Sequence, residues 1–392
     1  MGMIHCGRHM SFLSAFKNDF FLTVIIFLTP FLFLIQSPMA FAISACLFAF
    51  YLLFGGINKK IDKSDIFIFI FSFTLTVPVF IFHQHGVSHV FYFLLTLLTF
   101  FSARKSSSES PDELLILFRF IYWFFVFFSL IVYYVYRDIS EPFSGLISGS
   151  STNGIPSYLI VLHIAYATIY YAHYRRLPVI PAILTLIIAV LGIGRGSIYI
   201  AVMLLIASFF VNTCGDFKRK RIGSFLFFIC LISVFIGLAM ANFDNVYSFI
   251  LNKTKALQGI NDPYRMQIIV EYLHSLDWWQ VIFGGKYDNT VIEALYSNNP
   301  HISFIRGHAY LGLSYLFFIL TPPLFVFLGK LEQNVLDSFV YLFLISTLIL
   351  RSISEPILFP TSLDYYYFFV LMICFRNIRH YKSIKKHNNL AV

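Results

Sequence analysis

The sequence predicts an all-α, polytopic integral membrane protein of about twelve transmembrane helices, forming one membrane domain over residues 1–392. Three observations predict this. The chain is 58% hydrophobic and 12% charged, against about 45–50% and about 25% in an ordinary globular domain. Its 49 Phe and 24 Tyr, with a mean hydropathy of +0.77, leave too little polar surface to cover a soluble particle. The apolar residues also fall in evenly spread runs, and the basic residues cluster between them.

A helix rising 1.5 Å per residue needs about 20 residues to cross the hydrocarbon. The runs that meet this reading are Phe20–Ile35, Met39–Ile57, Ile66–Phe82, Val87–Phe101, Leu114–Tyr136 and Pro156–Tyr174, then Pro178–Gly194, Ser197–Val211, Ile222–Ala241, Ala309–Leu328, Leu336–Leu350 and Leu363–Phe375. Val87–Phe101 and Ser197–Val211 read as short, and the second is expected to begin inside the membrane after a break at Gly192–Gly196. With the N-terminus in the cytoplasm and the sides alternating, 20 of the 28 Lys and Arg residues fall inside, including Lys59-Lys60, Arg104-Lys105, Arg175-Arg176 and Lys218-Arg219-Lys220-Arg221. This is the bias of the positive-inside rule, and it places both termini in the cytoplasm.

The formal charge of +9 does not point to nucleic acid, because its basic residues serve as orientation signals between apolar runs. The five cysteines are scattered and make no disulfide framework or CxxC site. Residues Met1–Asn18 lack the short apolar core of a cleavable signal, so the first run reads as a retained helix; Met10 is an alternative start. No nucleotide fingerprint, P-loop or paired acidic metal motif occurs, and no cofactor or metal is expected. His83, His85 and His89 lack a fourth ligand and read as a polar turn. The aromatic run Tyr365-Tyr366-Tyr367-Phe368-Phe369 reads as lipid-facing or packing residues.

Residues 242–306 form one long outer loop between the ninth and tenth spans. Asp262-Pro263 has the form of an N-cap followed by a first-turn proline, Tyr264–Ser275 reads as a helix, and Trp278 and Trp279 suit a membrane interface. The loop is expected to lie back on the membrane as one or two amphipathic helices.

Eight basic residues fall on the disfavoured outer side, and they carry the functional reading: Arg137, Arg195, Lys253, Lys255, Arg265, Lys286, Arg306 and Arg351. Arg195 sits in Gly192-Ile193-Gly194-Arg195-Gly196-Ser197, between two runs with almost no loop. A cation there is costly and usually has a purpose. Gly194 and Gly196 permit a tight turn and close approach, and Ser197 can open a helix whose N-terminal N–H groups favour an anion. Arg265 falls in the first turn of the predicted loop helix, where a cation opposes the dipole unless an anion binds both; Asp262 and Glu271 are its possible local partners. His301, in Pro300-His301-Ile302-Ser303-Phe304, can accept a proton near neutral pH, with Arg306 and His308 close behind. Arg351 and Glu355 lie at the outer end of the eleventh span as partners for each other or for the other arginines.

The order of these pieces resembles the bacterial O-antigen polymerase and ligase superfamily. The likeness rests on the glycine-flanked Arg195, on Arg265 followed by a helix and Gly284-Gly285, and on Pro300-His301-Ile302-Ser303-Phe304 with Gly312 beyond it. The chain departs from the pattern where Ile206 and Leu276 replace the glycine of an arginine–ten residues–glycine motif, and where Ile302 replaces the Asn that often follows the His in ligases. The missing Asn leans the reading toward polymerase. The resemblance implies a GT-C-like fold and a metal-independent glycosyltransferase acting at the periplasmic face of the inner membrane. The implied donor is an undecaprenyl-pyrophosphate-linked oligosaccharide, and a chain-length regulator protein is among the implied partners. It further implies catalytic roles for Arg195, Arg265 and His301, with Gly194, Gly196, Ser197, Arg306, His308 and Arg351 binding substrate. Two other readings stay open: a ligase transferring glycan to lipid A-core, and a lipid-linked glycan flippase.

Overall fold

The computed structural model describes residues 20–35, 37–55, 63–82, 86–146, 153–218, 263–296, 298–331 and 335–389, and among them the secondary structure is helical throughout. Helices α1 (Phe20–Ile35) and α2 (Pro38–Phe54) form the first hairpin. Ser37 caps α2 by accepting the Ala40 N–H at 3.1 Å, with Pro38 at the first helical position. There follow α3 (Lys63–Phe82), α4 (Val87–Ser106), α5 (Pro111–Val135), α6 (Gly154–Tyr174), α7 (Val179–Leu191) and α8 (Arg195–Lys218). Three short helices, α9 (Pro263–His274), α10 (Trp278–Phe283) and α11 (Val291–Tyr296), precede α12 (Ser303–Leu331), α13 (Val335–Ser354) and α14 (Asp364–Asn389).

Eleven of the twelve apolar runs coincide with helices, and the twelfth, Ile222–Ala241, lies outside the described residues. Six helices, α4, α5, α6, α8, α12 and α13, are long and apolar enough to cross a membrane, and α1, α2, α7 and Ile70–Phe82 of α3 are shorter apolar helices. This is the architecture of a polytopic membrane protein. The two runs read as short belong to helices of 20 and 24 residues. Their backbone ladders continue past the last apolar side chain, because helical hydrogen bonds do not depend on side-chain polarity. The short helix is α7, whose 13 residues span only about 20 Å.

Helices α6 and α14 form the interior. Sixteen of the 21 residues of α6 are buried, against α1, α5, α7, α8, α13 and α14. The run Tyr365–Phe369 is wholly buried, so it packs the core and does not face lipid. Its phenols are satisfied there by Ser106 Oγ at 2.9 Å, the Ile26 carbonyl at 2.8 Å and the Ile319 carbonyl. Phe120, Phe124, Phe127 and Ile131 of α5 instead point outward, as a lipid-facing stripe requires.

The two ends of the bundle differ. At one, Lys105 Nζ donates to the Tyr51 carbonyl at 2.8 Å, Arg376 to the Ser107 and Glu109 carbonyls at 2.7 Å each, and Arg175 pairs with Asp337 at 2.6 Å. At the other, the start of α8, the end of α13, the start of α12 and the loop helices meet.

The loop contributes three helices among its described residues, where one or two were expected; the Asp262 cap lies outside them. Ile268, Tyr272, Tyr287, Ile292, Ile302, Ile305 and Ala309 form a second core that joins α9 and α11 to the start of α12. Asp277 and Gln280 close a capping box on α10, and Trp279 stacks on Phe82 at 5.3 Å. Gly284 (φ +90°) and Gly312 (φ +72°, where α12 breaks) let two backbones touch: a Cβ would lie 2.2 Å from the His308 carbonyl at the first and 2.8 Å from the Ile282 carbonyl at the second.

Gly284→Ala meets both forbidden space and a forbidden φ, so it should abolish the sharp melting transition of the detergent-purified protein. Gly86→Ala shares the positive φ but meets nothing within 4 Å, and should cost only the backbone strain of about 1–3 kcal/mol. Equal melting temperatures for the two variants would refute the crossing.

Candidate functional site

The centre of the site is Arg351, in the last turn of α13 and only 1% exposed. Its Nε donates to Ser157 Oγ at 3.2 Å, Nη1 to Ser354 Oγ at 2.6 Å and Nη2 to Ser197 Oγ at 3.0 Å. Glu355 Oε1 lies 3.6 Å from Nη2. Hydroxyls from α6, α8 and α13 and one carboxylate therefore surround a planar fork of donors. The spacing explains part of this, since Ser354 and Glu355 lie three and four residues beyond Arg351 and share its face. A cation at a helix C-terminus is also favoured by the dipole.

The glycines around Arg195 make this packing possible. A Cβ on Gly196 would lie 2.8 Å from Arg351 Nη1 and 3.1 Å from Ser354 Oγ, and one on Gly194 would overlap Asn153 Oδ1. Both glycines thus bring the start of α8 against neighbouring protein. Helix α8 begins at Arg195 itself, with the Ile198 N–H donating to the Gly194 carbonyl at 3.1 Å. Ile193, at φ +65°, carries the turn from α7. Arg195 is half-buried on the first residue of α8, and Ser197 is buried against Arg351.

Arg265 lies in the first turn of α9, and its Nη2 is 3.5 Å from the same Glu355 Oε1. Of the two local partners expected for it, Glu271 is engaged elsewhere. Glu271 accepts instead from Gln267 Nε2 at 2.7 Å and from the Val291 N–H at 2.9 Å, tying α9 to α11, and Asp262 lies outside the described residues. One carboxylate, 5% exposed, thus bridges a guanidinium of the loop and a guanidinium of the membrane domain.

The segment carrying Glu355 is held from both sides. Arg306 donates to the Pro356, Leu358 and Phe359 carbonyls at 2.5, 2.9 and 3.5 Å. Asp364 accepts the Phe359 and Thr361 N–H groups at 2.7 and 3.0 Å. Ser303 Oγ donates to the Glu355 carbonyl at 2.7 Å. Arg306, read from sequence as a substrate-binding residue, is committed to backbone carbonyls.

His308, a second substrate-binding candidate in the sequence, has both of its ring nitrogens engaged. Nε2 lies 2.8 Å from the Val281 carbonyl, which can only accept, so Nε2 carries the proton. Nδ1 is then the acceptor for the Tyr272 hydroxyl at 2.8 Å. Burial pushes the Tyr272 phenol well above its ordinary value, partly opposed by a hydrogen bond from the Gly285 backbone, so it stays a donor at every physiological pH. His308 pins α9 and α10 to α12.

His301 sits at a turn with φ +53°, its N–H donating to Asn299 Oδ1 at 3.1 Å and its ring edge-on to Tyr296 at 4.8 Å. The next two residues anchor it. Ile302 is buried in the loop core, and Ser303 binds the Glu355 backbone. The ring itself stays partly exposed.

Sequence reasoning missed Ser157, which has no local signal because it lies on a distant helix, and Asp364, which reads as an ordinary helix start. Among the described residues no group of three or more His, Cys, Asp or Glu side chains is arranged to hold a metal ion. His89 is buried in α4 with Nδ1 against the Tyr310 carbonyl; His83 and His85 lie outside the described residues. No protein-family model, curated protein or solved structure matches the chain.

Arg351→Lys should destabilise the bundle, because a point charge cannot reach three hydroxyls, and Arg351→Ala should cost about 3–5 kcal/mol by breaking a buried pair. Thermal melts in detergent check both. His308→Ala should leave the spans intact and speed proteolytic cleavage within 263–296. Unchanged cleavage would refute its role as a pin.

Proposed function

We propose that the protein is an O-antigen polymerase, a glycosyltransferase that joins undecaprenyl-pyrophosphate-linked oligosaccharide units at the periplasmic face of the bacterial inner membrane. The supporting observation is that Arg265 and Arg351 share one carboxylate, beside the first turn of α8 that begins with Arg195. These cationic residues come from segments far apart in the chain. They meet at the end of the bundle opposite the Lys105, Arg175 and Arg376 contacts. With those latter residues in the cytoplasm, as the positive-inside rule has them, the site faces the periplasm.

The chemistry follows from the donor. The bond from the sugar's anomeric carbon to the diphosphate oxygen breaks, a bond from the acceptor hydroxyl oxygen to that carbon forms, and the hydroxyl proton goes to His301. Undecaprenyl pyrophosphate leaves with the bonding electron pair. Arg195 and Arg265 bind its oxygens and stabilise the growing charge; guanidinium and diphosphate pair by strong, directional, charge-assisted bonds. Arg351, Ser197 and the two glycines shape the floor of the site, and Arg306 and His308 hold its walls.

Arg195→Ala, Arg265→Ala and His301→Ala should each lower turnover by about 10²–10³-fold. In a strain deleted for the gene, with membrane levels of each variant verified by immunoblot, lipopolysaccharide should lose its long chains and keep single repeats. Loss of all repeats would point to the ligase or flippase readings, which an assay for lipid-linked repeats on the outer leaflet separates. Wild-type ladders from all three variants would overturn the proposal.

A further inference from the structure

At the end of the bundle that carries Lys105, Arg175 and Arg376, those three cations are taken up by carbonyls and by Asp337. Arg119 is placed differently. It stands in α5, eight residues beyond Pro111, which is about 12 Å and more than two turns along the helix. It is exposed, beside the outward-facing Phe120, Trp123 and Phe124. No described residue accepts a hydrogen bond from it or forms an ion pair with it. Orientation signals belong to the segments between spans. A cation on the lipid-facing side of a span is costly and calls for a counter-charge.

A ladder of phenols adjoins it. Tyr166, Tyr170 and Tyr174 recur every fourth residue on one face of α6, with successive rings 5.8 and 4.7 Å apart. The ionisable groups acting on the Tyr166 phenol are Arg119, Tyr170 and Tyr174, so one guanidinium and three hydroxyls share the seam between α5 and α6. Tyr166 is only 4% exposed, and no described group hydrogen-bonds its hydroxyl. In lipid no water replaces that bond. The neighbouring buried tyrosines do have partners: Tyr122 donates to the Pro181 carbonyl and Tyr171 to Asp337 Oδ1, each at 2.7 Å. Tyr170 and Tyr174 are half-buried and exposed, and their hydroxyls also lack a described partner. Helical side chains lean toward the helix N-terminus, which carries Arg119 back toward the helix ends where Tyr174 closes α6. Asp112, on the same face of α5, is engaged there by His173 at 3.6 Å.

We propose that Arg119 and the Tyr166–Tyr170–Tyr174 ladder form a binding site for the phosphate of an anionic phospholipid. All four groups offer donors, so their partner is rich in acceptor oxygens. Guanidinium and phosphate form strong, directional, charge-assisted pairs. The site opens to lipid near the helix ends, where the phosphate layer of a bilayer lies, and basic seams between spans take anionic headgroups. The lipid supplies Arg119 with its counter-charge and the phenols with the acceptors that the protein lacks. The proposal is independent of the reaction at the opposite end of the bundle.

The test titrates the full chain, purified in detergent, with phosphatidylglycerol and counts bound lipid by native mass spectrometry. Wild type should retain one phosphatidylglycerol more tightly than it retains phosphatidylcholine. Arg119→Gln should weaken that binding at least about fivefold, the effect of one basic residue facing an anionic headgroup. Its lipid-free melting temperature should match wild type, since no described hydrogen bond or ion pair depends on Arg119. Arg119→Lys keeps the charge without the fork and should fall between the two. Tyr166→Phe removes an unpartnered hydroxyl, so it should melt higher than wild type without lipid and gain less from phosphatidylglycerol. Arg137→Gln removes the same charge beyond the other end of α5 and should bind as wild type. Equal affinity of wild type for the two lipids, unchanged binding in Arg119→Gln, or equal weakening in Arg137→Gln would overturn the proposal.

Discussion

A guanidinium sealed inside a membrane domain has to be satisfied by the protein, because neither lipid nor bulk water reaches it. Arg351 meets that demand with hydroxyls from three helices and one carboxylate. Much else at this end of the molecule follows. Helix α8 must start close enough for Ser197 to reach the guanidinium, so Gly194 and Gly196 cannot carry side chains. Helix α6 must present Ser157 at its first turn, and Glu355 must lie one turn beyond Arg351. The break between α7 and α8, the position of Arg195 and the path of the segment after α13 are all tied to one buried cation.

The same carboxylate couples the loop to the membrane domain. Arg265 reaches Glu355 from α9, and α9 is positioned by its own core, by the Glu271 bridge to α11 and by His308. Two close backbone contacts at Gly284 and Gly312 set the height of α10 against α12. The loop is thus a small packed layer with a hydrophobic centre, seated on the helix ends. A layer of this kind can hold a cation and a histidine in fixed relation to groups that belong to the spans, which an open loop cannot do.

The residues singled out in the sequence divide into two kinds on this scaffold. Arg195, Arg265 and His301 stand at the first turn of a helix, across an ion pair and at a partly exposed turn. Arg306 and His308 are taken up by backbone carbonyls and by a tyrosine, and they hold the segment after α13 and the helices α9 and α10 in place. Both kinds look alike in the sequence, where each is a polar residue on the side of the membrane that disfavours cations. They differ only in what surrounds them.

Hydrophobic run length determined the helices, because a segment in lipid has to satisfy its own backbone, and the apolar runs mark where it does so. The clustering of basic residues determined which helix ends belong together. Those constraints are local and additive, and a reader of the chain can count them. The identity of each partner was decided by tertiary packing: Glu355 and not Glu271 for Arg265, Ser157 for Arg351, Tyr272 for His308, and an interior place for Tyr365–Phe369. Such pairings join residues 36 to 194 positions apart. Apolar side chains suit a buried seam and a lipid face equally well, and a polar group accepts any partner of suitable geometry, so only the packed helices could choose among them.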